Sequence, residues 1–237
     1  MDLGSEGKNA IVCASCRGLG RACAIALARE GVNVTINGRN DEAIQEVVGS
    51  CSKFGVNVQS VIGDITKEST RDSLLSACTA PDILITNNAG PPPGKIAEWN
   101  YQAWISALEA NMITHILMIR AVLDGMVERK FGRIVNITSA MVKTPKAPMG
   151  LSTGARAGLT SVSKALSVEV AHANVTINNM LPERINTDRQ KFMAEMQSEL
   201  QGISVEEAYT QIAGTIAAGR AHLQHDPHEP HNREGTT

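Results

Sequence analysis

Six short runs of apolar and β-branched residues recur along the chain, at 9–14, 32–37 (VNVTIN), 56–62 (VNVQSVI), 82–86 (DILIT), 133–138 (RIVNIT) and 175–181 (VTINNML). Between them, near 20–30, 41–53, 67–78, 100–129 and 152–172, apolar positions return at helical spacing. Strand and helix in turn predict an α/β chain with a parallel sheet. Parallel strands need a crossover, and the crossover helix has to bury its apolar stripe on the sheet. The runs are nearly continuous in Val, Ile and Leu, which suits strands covered on both faces. The expected architecture is therefore a single doubly wound sheet with right-handed crossovers. No internal repeat and no domain boundary stands out before residue 219.

Two segments leave the alternation. Residues 188–217 carry two further helical patterns, KFMAEMQSEL and VEEAYTQIAGTIAA. An insertion after the sixth strand is where a substrate lid sits in such sheets, and a plain surface helix pair is the alternative. From 220 the chain reads RAHLQHDPHEPHNREGTT, polar, with two prolines and no apolar period. It is expected to be a disordered tail. His222, His225, His228 and His231 recur every three residues, a spacing that an extended chain would place on one side for weak metal binding. An unstructured tail is the simpler reading, and no metal site is expected.

Composition narrows the function classes. A hydrophobic content of 43% supports a real core, and a net charge of −2 with seven aromatic residues argues against nucleic acid or an anionic membrane as partner. No run approaches ~18 apolar residues, and MDLGSEGKN lacks a signal-peptide core, so a cytoplasmic protein is expected. Cys13 and Cys16 have C-x-x-C spacing but no companion pair, so the five cysteines read as small reduced side chains.

The chemistry begins at residues 13–20, CASCRGLG, between the first strand and the first helix. Strand, glycine turn and helix present backbone N–H groups to a phosphate. Gly18 lets the backbone approach a pyrophosphate and Gly20 lets the helix pack closely on the strand. The first glycine of the usual fingerprint is Ala14 here. The second strand ends in Asn37-Gly38-Arg39, with arginine where an NAD site would carry an acid; with Arg17 it points to a 2′-phosphate, hence NADPH. Asp64, in GDIT, either accepts from an adenine amine or caps the helix that follows. Asn87-Asn88-Ala89-Gly90 after the fourth strand lets a ligand approach the backbone. Ser161-Val162-Ser163-Lys164 matches an acylase motif but lies within a helical pattern without companions.

The order CASCRGLG, NGR, GDIT, NNAG, Asn111, NITS and LP-x-x-I-N-T resembles the short-chain dehydrogenase/reductase family over residues 8 to about 219. It is most similar to an atypical branch resembling β-ketoacyl-acyl-carrier-protein reductases. The resemblance implies a Rossmann-like sheet, a nicotinamide cofactor and interconversion of a carbonyl and an alcohol. It assigns the cofactor to Ala14, Ser15, Arg17, Gly18, Leu19, Gly20, Asn37, Arg39, Asp64, Ile65, Asn88, Ala89, Gly90, Pro182, Ile185 and Thr187. Of the family's Asn-Ser-Tyr-Lys tetrad, Asn111 and Ser139 match the first two members. Ser152 stands at the tyrosine position and Arg156 at the lysine position. Tyr101 and Tyr209 are followed four residues on by Ile105 and Ala213, so no Y-x-x-x-K exists. A positioned general acid is worth about 10²–10⁴ in rate, and Arg156 cannot deprotonate to relay protons.

The resemblance also implies glycine where Glu183 stands, and a further helix and seventh strand beyond Arg220, where this chain carries the polar tail. That strand helps form a homo-oligomer interface in the family. The leading expectation is an NADPH-dependent oxidoreductase acting on a small ketone or β-keto compound through Ser139, Asn111, Ser152 and Arg156. The alternative is an NADP(H)-binding protein without redox turnover. A non-redox lyase or dehalogenase-like activity ranks last, because such relatives keep the tyrosine.

Overall fold

The computed structural model describes residues 3–183 and 185–215, with the backbone of His222 and Leu223. Two compact units are present, Met1–Glu183 and Arg184–Thr237. The first is built on six parallel strands: β1 (Asn9–Val12), β2 (Asn33–Gly38), β3 (Val58–Ile62), β4 (Ile83–Thr86), β5 (Gly132–Ile137) and β6 (Val175–Met180). Their spatial order is β3-β2-β1-β4-β5-β6. The order reverses direction between β1 and β4, which opens a crevice at the carboxyl ends of these strands.

Helices α1 (Gly18–Arg29), α2 (Asp41–Ser52), α3 (Glu68–Ala77), α4 (Tyr101–Leu108), α5 (Thr114–Glu128) and α6 (Gly150–Val170) fill the crossovers. The strands feed two cores because their side chains alternate. Ala10 and Val12 of β1 and Ile83 and Ile85 of β4 pack with α1 and α2 residues such as Ala24, Ile25, Ile44 and Val47. Ile11 and Leu84 point the other way, to Leu74, Met118, Met126 and Leu159 from α3, α5 and α6. Both faces are thus covered, as the apolar runs require.

The helix expected over 100–129 is interrupted: α4 and α5 are joined by a π-helical turn, Glu109–Ile113. The whole run, Tyr101–Glu128, is long and apolar enough to cross a bilayer by length and composition. In this fold Met118, Ile119, Val122 and Met126 bury its inner face against the sheet.

Beneath the crevice, a buried polar chain crosses three strands. Thr86 Oγ1 donates to Asn136 Oδ1 at 2.6 Å, and Asn136 Nδ2 donates to Asn179 Oδ1 (3.1 Å) and to Ser163 Oγ (2.9 Å) on α6. Residues 86, 136 and 179 are register partners. Fully satisfied buried networks of this kind are favourable and rigid. Ser163, an inner position of the acylase-like motif, is therefore a strut of the sheet.

In the second unit, helices α7 (Asp188–Gln201) and α8 (Val205–Gly214) match the two helical patterns read after the sixth strand. Ala194, Ala208 and Ile212 form their common core, and Ser204 caps α8 by accepting from Glu207 N. Ile185–Asn186 pairs in parallel with His222–Leu223. His225, His228 and His231, and with them the expectation of a disordered tail, lie outside the described residues.

Candidate active site

The turn after β1 is folded by its own side chains. Ala14 adopts φ +46° and Gly18 φ +56°. The left-handed region costs a residue bearing Cβ about 1–2 kcal/mol, so Ala14 holds a conformation suited to glycine. Asn87 Nδ2 donates to the Ala14 carbonyl at 3.1 Å. A Cβ on Gly20 would overlap the Ala14 carbonyl oxygen and come within 2.9 Å of Asn87 Nδ2, so only glycine lets α1 enter here. Ser15 is fully buried; its hydroxyl donates to Val12 O (2.9 Å) and accepts from Asn37 N (3.0 Å). Asn37 is buried too, accepting from Ala14 N and donating to Val61 O and Gly63 O. The side chains of Ser15 and Asn37 therefore build the turn.

What the turn offers a ligand is backbone. No side chain caps α1, and no acidic residue stands in its first turn. The N–H groups of Leu19 and Gly20 have no intrahelical acceptor there, and the helix dipole favours an anion. Arg17 and Arg39 are exposed beside it. Asp64 Oδ1 accepts from both Thr66 N and Thr66 Oγ1, at 2.9 Å each. Burial raises the Asp64 pKa, but the Thr66 donors and the charges of Arg39 and Lys67 outweigh it and hold the carboxyl below its usual range. Ile65 points into the core, and its carbonyl accepts from Arg71 Nη1 at 3.2 Å.

At the other end of the crevice, Ser139 follows β5 and accepts from Met141 N at 3.2 Å. Ala140 N donates to Pro182 O at 3.0 Å, which ties this turn to the loop after β6. Arg156, on α6, is 6% exposed. Its Nη1 donates to Ile137 O (2.6 Å) and Thr138 O (3.0 Å), and its Nη2 to Asn88 O (3.4 Å). A Cβ built on Gly90 would lie 3.6 Å from Arg156 Nη2 and 3.9 Å from Ser152 Oγ. The structure thus brings Asn88, Gly90, Ser152 and Arg156 together at the ends of β4 and β5, with Ser139 on the adjoining turn. Trp99 and Trp104, edge to face at 5.8 Å, pack on Gly150 and Gly154 and hold the first turn of α6 in place.

Asn111 lies in the π turn, 1% exposed. The turn is latched to β4, since Asn88 Nδ2 donates to Ala110 O at 3.1 Å while Asn88 Oδ1 accepts from Ala89 N. One turn beyond Asn111 stands His115, also 1% exposed. Burial first, and the Arg156 charge second, pull its pKa down to about 3, so the ring is neutral. Sequence reasoning passed over His115 because it sits in an apolar stretch; its spacing of four from Asn111 was the available signal. Asn87, the support of the glycine turn, was seen only as part of a small-residue loop.

Ile185 and Thr187 belong to the second unit, where Thr187 Oγ1 donates to Ile185 O at 3.4 Å. Tyr209 donates its phenol proton to Asn186 Oδ1 at 2.9 Å in that unit. All five cysteines are free, and burial pushes the Cys13 thiol up to about 12. Among the described residues, no three His, Cys, Asp or Glu side chains are grouped to hold a metal ion.

An open parallel sheet with a glycine turn at its switch point is the frame of a doubly wound, nucleotide-binding-type fold. The family model described as short chain dehydrogenase matches residues 8–198, and the chain belongs to that family. It is 29% identical to "NADPH-dependent reductase BacG" of Bacillus subtilis over 90% of this chain and 85% of that protein. It is 31% identical to "3-oxoacyl-[acyl-carrier-protein] reductase FabG" of Vibrio harveyi over 81% of this chain and 79% of that one. Among solved structures, L-sorbose reductase from Gluconobacter frateurii, complexed with NADPH and L-sorbose, is similar with a TM-score of 0.87 and 26% identity, over 94% of this chain and 88% of that one. The family makes the chain an oxidoreductase that interconverts carbonyls and alcohols.

Proposed function

We propose that the chain is an NADPH-dependent reductase of a ketone or β-keto group, working with Asn111, Ser139, Ser152 and Arg156 in place of the usual tetrad. The observation that carries it is the seating of Arg156. A buried guanidinium hydrogen-bonded to the ends of β4 and β5, beside Ser152 and Gly90, keeps a fixed positive charge at the lysine position. The turn residues fit the cofactor: Leu19 and Gly20 N–H for the pyrophosphate, Arg17 and Arg39 for the 2′-phosphate, and the Asn88–Gly90 backbone with Arg156 for the ribose next to the nicotinamide. Bound NADPH would supply the hydride.

The chain's own residues do the rest. Ser139 and Ser152 donate hydrogen bonds to the carbonyl oxygen and polarise it. Arg156 stabilises the negative charge that develops there, which is effective because the site is buried. Serine is a weaker acid than a phenol, so the reaction is slower than with a tyrosine. We place the reaction in the cytoplasm, a reading supported by five free thiols.

The test is a fluorescence titration with NADPH, followed by NADPH consumption with a panel of ketones and β-keto esters. Binding with turnover that disappears on Ser139→Ala supports the reading; absence of any NADPH binding overturns it. The absence of a phenol at residue 152, with Tyr209 engaged by Asn186, favours a second reading, an NADP(H)-binding protein without turnover. Tight binding with no consumption across the panel would select it.

A further inference from the structure

The π turn and the start of α5 concentrate buried polar atoms that nothing in the catalytic assignment uses. Asn111 Oδ1, Thr114 Oγ1 and both ring nitrogens of His115 have no hydrogen-bond partner among the described residues, and neither has Thr153 Oγ1, the neighbour of Ser152 on α6. Apart from Gln190 Nε2 in the second unit, these are the buried unpartnered side-chain atoms found among the described residues. They adjoin the site: the π turn is latched to Asn88, which also receives Arg156, and His115 feels the Arg156 charge. Gly158 of α6 faces Met112, so the two helices meet closely here.

Buried polar atoms in folded proteins that lack a protein partner are satisfied by internal water, each water making two to four hydrogen bonds. A lone buried histidine on a core-facing helix would ordinarily bond a backbone carbonyl through one nitrogen. Here both nitrogens are unengaged, on a helix whose π turn already displaces its hydrogen-bond ladder.

We propose that His115 is a proton-relay residue that, through internal water held with Asn111 and Thr114, resupplies Ser152 with protons, so that Arg156 and His115 divide the two tasks of the missing lysine. Arg156 provides the permanent charge and cannot exchange a proton. His115 provides the exchange and need never carry a charge. As hydride reaches the carbonyl carbon, the C=O π pair becomes a lone pair on oxygen and takes the Ser152 hydroxyl proton. Ser152 takes a proton from water, that water takes the ring N–H proton of His115, and the opposite ring nitrogen accepts one from a solvent-linked water. The ring passes from one neutral tautomer to the other, and it returns when one nitrogen gives its proton to the internal water and the other takes one from it. One proton is drawn from solvent per hydride delivered by the reduced nicotinamide. The step rests on the reductase reading above; the hydration of His115 does not.

The test uses the full-length chain with 15N-labelled histidine, His115→Gln assigning the signals. The His115 ring N–H is expected to exchange with water within seconds despite its burial; a ring proton that persists for hours in D2O overturns the proposal whether or not the protein turns over. Where carbonyl reduction is measurable, His115→Gln is expected to lower kcat by roughly ten- to a hundredfold, below the full effect of a positioned acid. The solvent deuterium isotope effect on kcat should rise and NADPH affinity should stay within about twofold, for a group that transfers protons without touching the cofactor. An unchanged kcat and isotope effect, or equal losses of kcat, NADPH affinity and melting temperature, would make the role structural. A wild type with a fast-exchanging ring proton but no reduction of any carbonyl refutes the reductase reading and leaves a hydrated His115.

Discussion

Arg156 Nη1 lies 2.6 Å from the Ile137 carbonyl oxygen, so α6 is fastened to the end of β5 by a buried guanidinium. The bond explains how arginine is tolerated in the crevice. Its planar fork reaches the consecutive carbonyls of Ile137 and Thr138 from one nitrogen and Asn88 from another, which a single ammonium matches poorly. Replacing Arg156 with Met should leave these buried carbonyls unpaired and cost at least about 3 kcal/mol, at 1–3 kcal/mol for each of the three groups. For a chain of this size that is a fall of at least roughly 6–12 °C in Tm, read by calorimetry. Arg156→Lys should recover part of the stability.

The proposed seat of the 2′-phosphate makes a separate prediction. Arg39 sits at the end of β2, near enough to Asp64 to depress its carboxyl pKa. Arg39→Ala should weaken NADPH binding by about ten- to a hundredfold, the equivalent of a charge-assisted contact of roughly 1.5–3 kcal/mol. NADH binding should change little. Titration with both cofactors checks the contrast.

Backbone geometry predicts opposite outcomes for two neighbouring substitutions. Ala14 holds φ +46°, so Ala14→Gly relieves strain and should stabilise the chain by about 1 kcal/mol, or roughly 2–4 °C. Gly20→Ala drives a methyl into the Ala14 carbonyl and Asn87 Nδ2, and should open the turn. Its expected signature is a lower Tm with NADPH affinity reduced more than tenfold, the equivalent of over 1.4 kcal/mol.

His115 predicts an acid limb of stability. Its pKa falls to about 3 in the fold, against 6.5 for a free ring. Between these values the unfolded chain binds a proton that the native chain does not. Stability therefore falls as pH drops below about 6.5, by up to about 1.4 kcal/mol per pH unit from this group alone. His115→Gln should flatten that limb in urea melts from pH 7 to pH 4, and identical slopes for the two proteins would count against the assignment.

The sheet was legible because each strand is a short run rich in β-branched and apolar residues and each helix an amphipathic stretch. Local periodicity sufficed for six strands and their helices, with boundaries displaced by a few residues. Asn40 and Asn100, whose side chains accept from Ala43 N and Ala103 N, cap α2 and α4. The π turn was not legible. It coincides with a contact of Asn88 to Ala110 O across 22 residues, and no local pattern encodes a partner so far along the chain.

The site divides along the same line. Sequence alone marked the glycine turn, the two arginines, Ser139, Ser152 and Arg156 as candidates, because spacing along a strand–turn–helix unit is a local property. Only the tertiary structure decided which of these side chains turn into the fold. Ser15 and Asn37 turn inward, because strand pairing leaves buried backbone groups that need them. Arg156 is seated on carbonyls 18 and 19 residues away, and His115, silent in an apolar stretch, is carried by the packing of α5 to the side of that cation.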